Sequence, residues 1–314
     1  MPVRQLPVTD FTIRILLDSI IDYAGLYAPA SESMPAAVRS FAHYRAAGSG
    51  WMLGRFVCPA TSLVEFSREA ELYLPRDAGA IPWQLAVTGS GNVEHDMQEI
   101  TAFNERHRVC FDECSASVDT YEAKADSIAA ILALHDVVPQ KLRTFMEIPL
   151  IENPTALLEA IASCARHAKI RMGGITSDSF PAALHVARFL ECCAHTGVTA
   201  KATAGLHHPL RASFRLTHDD LSPSATMFGY VNLFLAAALV ASGAPTRDVV
   251  AMLEESDASR IAFDETHCTW KGGLHPYSID RGCVAQMRER GLVSFGSCSF
   301  TDPVVETRAL GWLP

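Results

Sequence analysis

The sequence predicts an α/β fold, a (β/α)8 TIM-type barrel with a C-terminal extension. Three observations lead there. Short apolar runs alternate with longer amphipathic stretches roughly seven or eight times, the pattern of parallel strands with helical crossovers. The alternation occupies roughly 240 residues, the size of a single (β/α)8 unit. A doubly wound dinucleotide-binding sheet would carry a Gly-rich turn after its first strand. Here Gly89-Ser90-Gly91 follows a middle strand and lacks the third glycine. On this reading the barrel spans residues 1–244, and residues 245–314 form an extension packed on it.

The strand candidates are a segment around Tyr23–Tyr27, then Arg55–Pro59, Trp83–Thr88, Ala116–Tyr121, Thr144–Pro149, Lys169–Met172, Thr199–Ala204 and Phe228–Asn232. Helices fill the gaps. Asn92 is placed to cap a polar helix running to His107, and an Ala-rich helix covers Asp126–His135. Asn153–Pro154 starts another that reaches about Arg166. Ser177–His195 stops at Gly197, a C′ glycine, and Leu233–Ser242 follows the last strand. Beyond residue 244, Asp248–Ser256 and Arg281–Arg290 read as helices, and Val293–Phe300 as a late strand or loop.

The chain has 314 residues, with 26 Lys plus Arg against 35 Asp plus Glu, a formal net charge of −9. With no basic block, this balance excludes a nucleic-acid footprint, and 49% apolar residues exclude disorder. The N-terminus lacks the basic, apolar and small-residue segments of a signal peptide. The longest apolar run, Leu233–Ala241, is about half of a membrane span. A soluble, cytoplasmic protein is therefore expected, with no nucleic-acid or membrane partner; the reading allows a homo-oligomer. Nine scattered cysteines, an odd number, read as reduced thiols. Cys110 and Cys114 form a CxxxC with no second pair, so neither disulfides nor structural zinc are expected.

Polar residues inside strand patterns mark the candidate site, because alternate strand residues face the barrel interior and meet substrate near the C-terminal strand ends. Lys169 and Arg171 are spaced i, i+2 and share a face; turned outward they would bury charge under helices. Lys201 is flanked by Ala200, Ala202, Thr203, Ala204 and Gly205, which leave room for a ligand beside its amine. A desolvated lysine beside other cations acts as a Schiff-base nucleophile or general base. Glu147, mid-strand and apolar-flanked, is its partner or a base, and Asp22 is a second carboxylate. His207 and His208 follow the Lys201 strand, one as an acid/base and one in substrate contact. Arg211 suits a carboxylate or phosphate, and the long loop from Leu206 to Ala225 also holds His218, Asp219 and Asp220. Gly173, Gly174 and Gly205 offer backbone N–H groups for an anion, Thr203 a hydroxyl, and Asn232 the polar residue of the last strand. Cys298 is expected to fold back over the mouth or to be an inert buried thiol.

The segments DYAGLYAPA, KIRMGG, KATAGLHHPLR and GSCSF resemble a recurrent, largely uncharacterised group of bacterial hypothetical proteins over most of the chain, which implies no particular activity. Lys201-Ala202-Thr203-Ala204-Gly205 is also locally similar to the Schiff-base strand of class I aldolases of the deoxyribose-phosphate aldolase type. That resemblance implies Lys201 as the nucleophile. Those aldolases place a second lysine on the following strand, whereas Lys169 here precedes Lys201.

The leading expectation is a cofactor-independent lyase or isomerase acting on a small anionic carbonyl substrate. Lys201, Glu147, His207 and Asp22 carry the chemistry, and Lys169, Arg171, Gly173, Gly174, Thr203, His208, Arg211 and Asn232 contact substrate. Two alternatives stand beside it. One is a metal-dependent hydrolase built on His207, His208 and a carboxylate, without HxH or HExxH spacing; the other is a non-catalytic small-molecule-binding barrel.

Overall fold

The computed structural model describes residues 11–76, 79–108, 115–217 and 221–313. Cys110, Cys114, His218, Asp219 and Asp220 lie outside the described residues. After a short helix, α1 (Thr12–Leu17), the chain runs as strand–helix units. Strands β1 (Ile21–Tyr23), β2 (Leu53–Pro59), β3 (Trp83–Thr88), β4 (Ala116–Lys124), β5 (Arg143–Glu147) and β6 (His167–Arg171) are followed in turn by six helices. These are α2 (Met34–Ala46), α3 (Leu63–Ala70), α4 (Val93–Arg106), α5 (Ile128–Val137), α6 (Thr155–Ser163) and α7 (Ala183–Thr196). The helix ends carry local signals. Asn92 accepts from the His95 N–H at 3.1 Å, Ser127 from Ala130 at 3.3 Å, and Gly197 closes α7 with φ 70°.

Strand β7 (Ala200–Thr203) opens an insert over residues 204–291. It begins with a hairpin, β8 (Ala212–Arg215) with β9 (Ser224–Met227), whose residues Phe214, Arg215 and Met227 line the barrel mouth. Helices α8 (Tyr230–Ala241) and α9 (Thr246–Leu253) follow. An antiparallel sheet of β10 (Ile261–Phe263), β11 (His267–Trp270) and β12 (Tyr277–Asp280) comes next, and then α10 (Arg281–Arg290). Strand β13 (Leu292–Ser297) then enters between β7 and β1 and closes the barrel, with α11 (Thr301–Ala309) after it. All eight wall strands are parallel, in the order β1-β13-β7-β6-β5-β4-β3-β2.

The fold is thus the (β/α)8 barrel the alternation predicts, with two corrections. The eighth strand is Leu292–Ser297, not Phe228–Asn232. The latter segment enters α8, whose residues from Tyr230 to Leu239 are all buried. A helix apolar on every side has the same local pattern as a buried strand, so periodicity does not separate them. It follows that the barrel does not end at residue 244. Its wall runs from Ile21 to Ser297, much of the supposed extension is an insert within it, and only residues after β13 lie beyond the wall.

Outward-facing strand residues pack under the helices. Phe56 of β2 and Trp83 of β3 meet Phe41 of α2 at ring-centroid distances of 5.4 and 4.8 Å, and Phe66 of α3 meets Phe56 at 5.0 Å. Each such ring contributes about 1.5–3 kcal/mol through burial. Among the described residues, no helix is long and apolar enough to cross a membrane.

Candidate active site at the C-terminal mouth of the barrel

The inward face carries charge in place of the bulky aliphatic layers usual in such barrels. Register explains the assembly. Glu147, Lys169 and Lys201 are direct partners across β5, β6 and β7, so their side chains meet at one depth. The carboxylate of Glu122, from β4, lies between the two lysines, its Oε1 2.5 Å from Lys201 Nζ and its Oε2 2.8 Å from Lys169 Nζ. Lys169 also reaches Glu147 at 2.9 Å, and Glu147 accepts from Arg171 Nε at 3.2 Å. On the other side Lys201 Nζ is 2.6 Å from Asp22 Oδ2. Asp22 further accepts from the Ser294 hydroxyl at 2.7 Å and the Arg55 N–H at 2.8 Å. Cation and anion alternate along the whole chain Arg171–Glu147–Lys169–Glu122–Lys201–Asp22, so every buried charge touches opposite charge.

This alternation offsets a desolvation cost of several kcal/mol per buried ion. Burial alone pushes Glu122 up, but Lys169 and Lys201 outweigh it and hold the carboxyl at about 2. Asp22 is likewise raised by burial and brought below the ordinary carboxylate range by Lys201 and Arg55. Glu147 is brought low in the same way by Lys169 and Arg171. Burial opposes the charge on Lys169, yet Glu122 and Glu147 lift it above its usual value and keep it an ammonium. The sequence reading places Lys201 directly beside Lys169 and Arg171; the structure instead interposes Glu122. Gly54 makes room for the Asp22 carboxylate, because a Cβ there would lie 2.5 Å from Asp22 Oδ1.

Above this floor opens a cavity of about 1100 Å³ at the C-terminal strand ends. Glu147, Lys169, Arg171, Gly173, Gly174, Lys201, Thr203, His207 and His208 line it. Asp22 lies beneath, reached through Lys201. His207 Nδ1 is 3.1 Å from Ser297 Oγ and 3.9 Å from Cys298 Sγ. Because the Ser297 hydroxyl donates to Ser299 O at 2.7 Å, Nδ1 is the donor to Ser297 Oγ, which fixes the tautomer. His208 stacks on Phe214 at 3.3 Å and contacts both Glu306 oxygens at 2.8 Å. Burial holds His208 down to about 4 and, with Asp302, lifts Glu306 to about 7. Cys298 also lines the cavity, and burial pushes its thiol up. All seven described cysteines are free, and among the described residues no three His, Cys, Asp or Glu converge as metal ligands.

Two expected substrate residues sit elsewhere. Asn232 is not on a barrel strand. It is buried in the first turn of α8, where its Nδ2 donates to Met252 O and Glu255 O at 2.8 Å and its Oδ1 accepts from the Arg211 N–H at 2.9 Å. Arg211 is thus anchored through its backbone, and it lies outside the cavity lining.

The structure adds residues that sequence reasoning passed over. Glu122 lies one residue beyond the strand drawn at Ala116–Tyr121. Lys124, two further along β4, lines the rim. The Tyr27 hydroxyl is 2.7 Å from Thr88 Oγ1 on the far side, and burial pushes its phenol up. The fold is compatible with an enzyme. Compared with protein-family models and with curated proteins, the chain matches none.

Proposed function

We propose that the protein is a cofactor-independent, lysine-dependent lyase or isomerase acting on a small anionic carbonyl compound. One observation carries the reading. Two inward lysines stand at the same register level on adjacent strands, at the cavity floor, with the Glu122 carboxylate 2.5 and 2.8 Å from their ammonium groups.

Lys201 is the nucleophile in this proposal. Its ammonium first yields a proton to Asp22 or Glu122, both within hydrogen-bond reach. The free amine attacks the carbonyl carbon and forms a C–N bond; the carbonyl oxygen takes up protons and leaves as water. The protonated imine then draws in the electron pair released when a neighbouring C–C or C–H bond breaks. Lys169, held charged by Glu122 and Glu147, stabilises negative charge at the reacting carbons. His207, from the loop after β7, serves a leaving or entering hydroxyl. Thr203, Ala204 and Gly205, which line the cavity beyond Lys201, leave space for the substrate, whereas Ala200 and Ala202 face outward.

Borohydride reduction with pyruvate, dihydroxyacetone and glycolaldehyde as carbonyl probes tests this. A stable adduct mapped by mass spectrometry to Lys201, and absent from Lys201→Met, is the expected result. No adduct with any probe, or an adduct on a surface lysine alone, overturns the reading.

A further inference from the structure

We infer that the anionic group of the substrate is a phosphate monoester, seated at the rim where the loops after β6 and β7 meet. The inference rests on the carbonyl reading only for what lies at the other end of the substrate; the seat stands on its own observations.

The first is backbone geometry. A Cβ on Gly173 would lie 2.9 Å from the Gly205 Cα, so the two loops are pressed together at glycine. Ala204 and Gly205 both take left-handed φ, 59° and 67°, which turns the chain sharply. For Ala204 that conformation is unfavourable. The backbone N–H groups of Gly173, Gly174, Ala204 and Gly205 donate to no acceptor among the described residues, and all four residues line the cavity. Donors without acceptors, brought together by a strained turn, form an anion seat.

The second is side-chain charge. Arg171, at the end of β6, gives only its Nε to Glu147. Its two terminal nitrogens donate to nothing else among the described residues, and its side chain is 52% exposed. Lys124, at the end of β4, has no partner among the described residues. Asp302, which also lines the cavity, and Glu306, in contact with His208 at 2.8 Å, follow β13 beside β7, so the positive side of the mouth is the one toward β6 and β4. The lysines of the floor are held by Asp22, Glu122 and Glu147, whereas the two terminal nitrogens of Arg171 and the ammonium of Lys124 have no carboxylate partner among the described residues.

Donors arriving from the loops after β6 and β7, from the end of β6 and from the end of β4 suit a tetrahedral dianion with three terminal oxygens. A planar carboxylate has two oxygens, and the fork of Arg171 alone would satisfy it.

The test uses the full-length protein and isothermal titration with inorganic phosphate, glycerol 3-phosphate and succinate. Saturable binding of both phosphates, with succinate weaker by about tenfold or more, is expected. Arg171→Gln and Lys124→Gln should each weaken glycerol 3-phosphate by about tenfold, and Lys124→Gln, which touches no member of the inner ion chain, should keep the borohydride adduct with neutral glycolaldehyde. Lys201→Met should keep glycerol 3-phosphate binding while losing the adduct, so failure of the seat and failure of the lysine chemistry read out separately. Succinate binding as tightly as the phosphates, no saturable phosphate binding, or unchanged affinity in both rim variants overturns the inference.

Discussion

The two faces of the barrel wall obey different physics. Outside, Phe56 and Trp83 interlock with Phe41 and Phe66 of the covering helices, and every contact lowers the free energy of folding. Inside, one residue away along the same kind of strand, six charges alternate in a chain that is buried except at its Arg171 end, and whose attraction roughly offsets its desolvation. Strand β7 shows both at once. Ala200 and Ala202 pack outward, while Lys201 and Thr203 face the cavity. The outer layer explains why the barrel folds. The inner layer contributes little net stability as a whole, yet any single break in it is costly, because it leaves a buried charge without its partner.

The strongest way to break that contrast is Lys201→Met. It leaves Asp22 and Glu122 buried without their shared cation, which costs about 3–5 kcal/mol in urea denaturation and removes the borohydride adduct. Adding Asp22→Asn removes an orphaned charge, so the double variant should regain part of the stability and none of the adduct. A double variant no more stable than Lys201→Met would show that the inner chain does not act as a linked ionic unit. On the outer face, Phe56→Ala should cost about 3–5 kcal/mol by leaving a cavity. Adduct yield per folded molecule should stay unchanged. A yield falling along with stability would mean that the two faces are not separable.

Acid sharpens the same comparison. Glu122 sits at about 2 against an ordinary 4.5, so its folded form holds the proton less tightly than the unfolded chain does. A depressed carboxyl contributes stability that is complete above about 4.5 and lost as pH falls through about 2. Asp22 and Glu147, shifted in the same direction, add to the loss on the acid side. Denaturation midpoints measured from pH 6 to pH 2 should therefore fall steeply in the parent chain. The fall should be equally steep in Phe56→Ala and shallower in Glu122→Gln. Equal slopes in all three would separate the acid response from the inner chain.

How much of this was legible in sequence depends on where alternation survives. Strand Trp83–Thr88 reads true to its ends, and the i, i+2 spacing of Lys169 and Arg171 places both on one face. Glu122 was hidden by a register shift. Between Leu85 and Ala86 of β3, the partner strand advances from Val118 to Thr120, and the extra residue at Asp119 breaks the period of two. Asp119 itself forms a two-pronged ion pair with Arg55, at 2.7 Å through each nitrogen. Past that point the inward parity of Glu122 and Lys124 cannot be counted from the start of the strand. Val293–Phe300 reads as a late strand or loop, but the place of β13 in the wall was hidden by distance, because residues 204–291 intervene and the apolar α8 offers a nearer substitute. The ion chain itself spans β1, β4, β5, β6 and β7, and pairings between strands follow from closure rather than from any local spacing.

The smallest predicted effects lie at the base of the hairpin, where sequence reading put two substrate contacts. Asn232 satisfies three backbone groups at once, the N–H of Arg211 and the carbonyls of Met252 and Glu255. Asn232→Ala leaves them without that partner in a fully buried place, for a cost of about 1–3 kcal/mol. Among the described residues Arg211 is held by its backbone alone, so Arg211→Gln keeps the bond to Asn232 and should shift stability by less than about 0.5 kcal/mol. Neither change should alter adduct formation or glycerol 3-phosphate affinity per folded molecule, because neither residue reaches the cavity. Thermal and urea midpoints of the two variants, read beside both binding assays, check this. If Arg211→Gln weakened glycerol 3-phosphate as much as Arg171→Gln does, the anion would sit further out, under the hairpin, and the rim between β6 and β7 would no longer be its seat.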